Sequence, residues 1–120
     1  MASSSLWVLI LDEDKEQARA IERTLTPFGI GTTIVESIEE LVEVVRLAQV
    51  DAIIANVSSG NTSQRTLEQR LHAHGVEQEL IVIDSNGSRQ DRRVFAAPVS
   101  PIHLVDAVLS ANRSEQRRAA

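Results

Sequence analysis

A chain of 120 residues has the length of one compact domain, and its 42% hydrophobic and 24% charged residues exclude a disordered or fibrous chain. A formal net charge of −5 gives no general attraction to nucleic acid or to an anionic membrane, and zero cysteines exclude disulfides and thiolate metal sites, in keeping with a reducing cytoplasm. No apolar run approaches the ~20 residues that span a bilayer, and the opening MASSSLWVLILDED lacks the basic n-region of a signal peptide. A cytoplasmic location is the expectation. Asn-X-Ser matches such as Asn56-Val57-Ser58 are then chance matches to a short motif.

Strand and helix patterns alternate along the chain. Trp7–Leu11 is an unbroken apolar run closed by acids, the pattern of a strand buried on both faces in a parallel sheet. Lys15–Leu25 places Ala18, Ile21 and Leu25 on one helical face, with Asp14 as a cap and Pro27 and Gly29 as the stop. Thr32–Val35 is short and β-branched, a second strand. Ser37-Ile38-Glu39-Glu40 is a capping box, opening a helix with Ile38, Leu41, Val42 and Val45 on one face.

Ala52–Val57 is the third strand, Ser58–Thr62 a loop, and Ser63–His74 a shorter helix that uses Leu67 and Leu71 and stops at Gly75. Leu80–Ile83 is the fourth strand and Val94–Ala96 the fifth. Between them, Ser85–Arg93 has four charged residues and no apolar stripe, so a loop or single turn is expected there. Ser100-Pro101 opens the last helix, whose stripe is Ile102, Val105 and Leu109, widened by Leu104 and Val108. The alternation implies right-handed crossovers and a parallel sheet covered on both faces. The domain spans 6–112, and 113–120 is a basic tail or linker.

Sites in an open parallel sheet gather at the carboxyl ends of its strands. Those ends carry Asp12-Glu13, Asn56, Asp84-Ser85 and Ala97-Pro98. In this order and spacing, LILDED, DAIIANV, LIVIDS and FAAPVSPIHLVDAV resemble the successive core segments of the receiver domain of two-component response regulators, from Trp7 to about Asn112. The resemblance implies a flavodoxin-like, doubly wound, five-stranded parallel sheet of order 2-1-3-4-5, here with the fourth helix shortened or missing. It also implies a mechanism: an acidic pair and an acceptor aspartate hold Mg²⁺, the aspartate attacks phosphorus, and a hydroxyl and a lysine bind the transferred group.

Carried over by position, the acidic pair is Asp12 and Glu13, and the acceptor is Asn56, a poor nucleophile with no charge. The hydroxyl position falls on Asp84, or on Ser85 if the register shifts by one. The lysine position is Ala97, and the aromatic switch position three residues earlier is Val94. Basic residues number eleven arginines and one lysine, Lys15, which stands at the start of the first helix and cannot supply the missing ammonium. The resemblance to degenerate receivers implies a non-enzymatic pseudo-receiver, not phosphorylated by the usual aspartyl route. It would act through protein contacts or an attached output domain, with pairing of two copies through the last helix as a further expectation.

Asp12 and Glu13 constitute a weakened or lost Mg²⁺ site, with Asp84 able to restore charge beside them, and no other cofactor is implied. The bland alternative places both acids in water at a strand end. Two further readings stay open: a phospho-accepting receiver that uses Asp84 or Asp12, and a flavodoxin-like binder of a small ligand. The ligand-binder reading lacks a glycine-rich phosphate loop. His72 and His74 are two residues apart and point to different sides of a helix, a poor chelating pair, and His103 is expected in an exposed first turn.

Overall fold

The computed structural model describes residues 6–56, 64–83, 94–95 and 105–110. Strand β1 is Trp7–Leu11, followed by helix α1 (Lys15–Leu25), strand β2 (Gly31–Val35), helix α2 (Ile38–Leu47), strand β3 (Ala52–Asn56), helix α3 (Gln64–Ala73), strand β4 (Glu79–Ile83) and strand β5 (Val94–Phe95). Residues 105–110 are helical and belong to the last helix. The strands form one sheet in the order β2-β1-β3-β4-β5, with every neighbouring pair parallel. This is the doubly wound topology that the alternation and the resemblance predict. The Ser85–Arg93 segment, the Ser58–Thr62 loop, the opening of the last helix and the 113–120 tail lie outside the described residues.

Alternate residues of a strand face opposite sides. Val8 and Ile10 of β1, Ala52 and Ile54 of β3, and Ile81 and Ile83 of β4 pack with Ala18, Ile21 and Leu25 of α1 and with Val105 and Val108 of the last helix. Their alternates Leu9, Ile53 and Ala55 pack with Ile38, Leu41 and Val42 of α2 and Leu67 and Leu71 of α3. In the middle of β1 and β3 successive apolar residues are thus buried on opposite faces of the sheet. Leu9, Ile53 and Ile54 are fully buried, and each such side chain contributes roughly 1.5–3 kcal/mol relative to exposure.

Leu109 departs from the expected stripe of the last helix: it is 37% exposed, whereas Val108 is buried. Val105 and Val108 lie at i and i+3, and the side between them meets the sheet, which turns position 109 outward. Ile102 and Leu104 lie outside the described residues.

Helix ends follow their local chemistry. Asp14 caps α1, its Oδ1 accepting from the amides of Glu16 at 3.0 Å and Gln17 at 3.3 Å. Beyond Leu25 the chain tightens into a 3₁₀ turn, Thr26–Phe28, and Gly29 takes the left-handed conformation at φ 76°. Ser37 Oγ accepts from the Glu40 amide at 3.1 Å. The return arm of this capping box goes one residue further out than expected, with the Glu36 amide donating to Glu40 Oε1 at 2.9 Å. At the end of α3, Gly75 at φ 75° lets the Val76 amide reach back to the Leu71 carbonyl at 2.9 Å.

At the amino edge of the sheet, Trp7 lies across Gly31, its register partner on β2. A Cβ at position 31 would fall inside the indole carbons Cε3 and Cζ3. The indole N–H donates to Thr33 Oγ1 at 2.8 Å, and the Trp7 amide donates to Asp51 Oδ2 at 2.7 Å. Gly31→Ala must displace the ring, so we expect a loss of about 1–3 kcal/mol in urea unfolding, together with a changed Trp7 emission spectrum. Unchanged stability and emission would contradict this packing.

Candidate functional site at the carboxyl edge of the sheet

The register brings two of the sequence-predicted residues together. Leu11 of β1 pairs with Ala55 of β3, so one further step sets Asp12 beside Asn56. Alternation puts both on the face that carries Ile10 and Ile54, which is the face covered by α1. The first turn of α1 therefore overhangs the same point.

Asn56 Nδ2 donates to Asp12 Oδ2 at 3.0 Å. The same nitrogen also donates to Oε1 of Gln17, from that first turn. The other Asp12 oxygen, Oδ1, accepts from the Asp14 amide at 2.9 Å. Asp12 is only 5% exposed, the one buried charged residue among those described. Both of its oxygens are paired, as a buried carboxylate requires.

Burial raises the Asp12 pKa above the ordinary carboxyl value of 3.8 and outweighs the hydrogen bonds from Asp14 and Asn56 that act the other way; the charges of Asp14 and Glu13 add to the rise. Glu13 is solvent-exposed. Lys15 is engaged elsewhere: its Nζ lies 3.5 Å from Glu36 Oε1 in an exposed ion pair on the β2 side. Pairs of this kind contribute little to stability.

Asp84, Ser85 and Ala97 lie outside the described residues, as does His103. Among the described residues no group of three or more histidine, cysteine, aspartate or glutamate side chains is gathered as a metal ion would need. His72, in the last turn of α3, and His74, just beyond the helix, are both exposed. Among those residues, too, no helix is long and apolar enough to cross a membrane.

No family model and no curated protein matches the sequence. Solved structures do match. The receiver domain of the Francisella response regulator 1452 is similar over 92% of this chain and 99% of its own, at 18% identity and a TM-score of 0.79. A response regulator receiver domain protein from Clostridium thermocellum is similar over 92% of this chain and 97% of its own, at 15% identity and a TM-score of 0.77. An orphan response regulator of H. pylori is similar over 93% of this chain and 100% of its own, at 16% identity and a TM-score of 0.73. The fold is that of response regulator receiver domains.

Within the receiver fold, Gln17 is the site residue that the sequence reading did not single out. A signal for it existed. Gln17, Ile21 and Leu25 are spaced by four, so the buried stripe of α1 points its amino end at the strand termini. A polar residue at the head of that stripe meets whatever the strands present there.

The raised pKa of Asp12 sets a pH dependence. The folded state holds the Asp12 proton more tightly than the unfolded chain does. Its contribution is therefore fully present below the ordinary carboxyl pKa and is lost as pH rises through the raised one. Asp12→Asn has no such titration. The stability difference between wild type and Asp12→Asn is expected to move in favour of the variant between pH 4 and 7, measured by urea unfolding at each pH. Movement in favour of wild type over that range would show that the carboxylate is stabilised, not strained, by its surroundings.

Proposed function

We propose that this chain is a pseudo-receiver: a two-component-type signalling module that is not phosphorylated by the usual aspartyl route and acts through protein contacts. The observation that carries this is the Asn56 amide, which donates to Asp12 at the end of β3. A nucleophile must offer an electron pair to phosphorus. The Asn56 nitrogen instead offers protons, and its lone pair is delocalised into the amide. Supporting this, Lys15 lies at the start of α1 in an exposed pair with Glu36, and the sequence has alanine at position 97. The domain has no enzymatic activity of its own, and its output is a surface presented to a protein partner or to an attached domain.

Asp12 fits poorly as a substitute acceptor, because it is buried and both oxygens already accept hydrogen bonds. A small-ligand site has little support among the described residues. The groove of about 430 Å³ beside β2 is lined by Lys15, Arg19, Glu36, Glu40 and a single aliphatic side chain, Ile34, with no aromatic on which a ring could stack.

Incubating the protein with acetyl phosphate and Mg²⁺ and measuring its intact mass tests this reading. We expect no phosphoryl adduct. A hydroxylamine-sensitive adduct mapped to any carboxylate would overturn the proposal.

A further inference from the structure

The carboxyl edge of a receiver fold implies Mg²⁺, but the Asp12–Asn56 donor set, among the described residues, does not suit a cation. A divalent metal needs oxygen lone pairs converging on one point. Asp12 Oδ1 is turned to the Asp14 amide and Oδ2 to the Asn56 amide. Asn56 presents its nitrogen, not its oxygen, to this point. Reversing the amide would bring Asn56 Oδ1 against Asp12 Oδ2, acceptor against acceptor, so the ionised carboxylate dictates the orientation. With that orientation fixed, Gln17 must present Oε1.

We propose that Gln17 is a positioning residue that makes this pocket refuse divalent cations. Its oxygen and the Asp12 carboxylate together hold both protons of the Asn56 amide. Asn56 cannot turn its own oxygen toward a metal without breaking two hydrogen bonds at once. The Asn56 N–H groups thereby take the role a cation has beside a buried carboxylate, and both Asp12 oxygens have hydrogen-bond partners within the protein. Gln17 reaches the site because Asp14 caps α1 three residues earlier and fixes the start of the helix over the end of β1.

The inference rests on the edge being a non-phosphorylated pocket, but its test does not involve phosphorus. Mn²⁺ alone is titrated into the full 120-residue chain, with water-proton relaxation reporting bound metal. Wild type should bind weakly. Gln17→Met keeps the length of an exposed side chain and removes the acceptor, so the fold, checked by circular dichroism, is retained while one of the two hydrogen bonds that orient the Asn56 amide is lost. Its Mn²⁺ affinity should rise by about tenfold, the scale of one neutral hydrogen bond. Asn56→Asp, which adds a carboxylate and removes the donor, should bind on the order of a hundredfold more tightly than wild type.

Equal Mn²⁺ affinity in wild type and Gln17→Met would overturn the role of Gln17, as would tight binding by wild type. Either result could arise with no phosphoryl adduct in the mass measurement, so failure of this inference is distinguishable from failure of the pseudo-receiver reading.

Discussion

Asp12 sits buried at the end of β1, next to the end of β3, and the hydrogen bond from Asn56 Nδ2 at 3.0 Å decides what this edge can be. Two carboxylates at roughly 4 Å repel by about 4 kcal/mol at an effective dielectric near 20. A second carboxylate at position 56 would therefore demand a cation, and a cation at that point is what organises phosphoryl transfer in an acyl-phosphate mechanism. A carboxamide reverses the requirement. It donates to the buried carboxylate, needs no counter-charge, and offers no nucleophile.

The rest of the molecule serves to place these two residues. Parallel strands β1 and β3 end together because their register is fixed by buried side chains on both faces, and a slip by one residue would exchange the faces. Helix α1 covers the face on which Asp12 and Asn56 lie, and its capped start brings Gln17 to them. At the opposite edge, Trp7 closes over Gly31. The indole and the Asp12 site are thus separated by the length of β1, roughly 16 Å at a strand's rise per residue. Trp7 reports on the packing of β1 against β2 and is poorly placed to sense the carboxyl edge.

Much of this was legible in the residues. The limits of β1 and α1 follow from an apolar run closed by acids and from the Asp14, Pro27 and Gly29 punctuation, because those signals are local and chemically forced. The pairing of Asp12 with Asn56 follows from the rule that sites collect at strand ends, once the strand order is given. Two features were not legible, and the signal for a third, Gln17, was faint, for physical reasons. The capping-box return to Glu36 depends on side-chain geometry that a motif does not encode. The outward turn of Leu109 depends on the angle at which the last helix meets the sheet, and periodicity alone leaves that angle open by one position. Gln17 was hard to single out because a glutamine on a helix surface is ordinarily solvated, and only the overhang of α1 gives it a partner.

The receiver fold and the hydrogen-bonded edge support one account, the pseudo-receiver proposed above: the scaffold is kept, and a carboxamide donating to a buried carboxylate stands where phosphoryl chemistry needs a nucleophile. The most direct measurement is amide NMR of the uniformly labelled protein titrated with Mg²⁺ and beryllofluoride, which together mimic a phosphorylated acceptor. The account predicts that the resonances of Asn56 and of β4 stay where they are. Saturable shifts at the ends of β3, β4 and β5 would contradict it, because they would require the uncharged, weakly nucleophilic amide oxygen of position 56 to hold a phosphoryl-like group in place of a carboxylate.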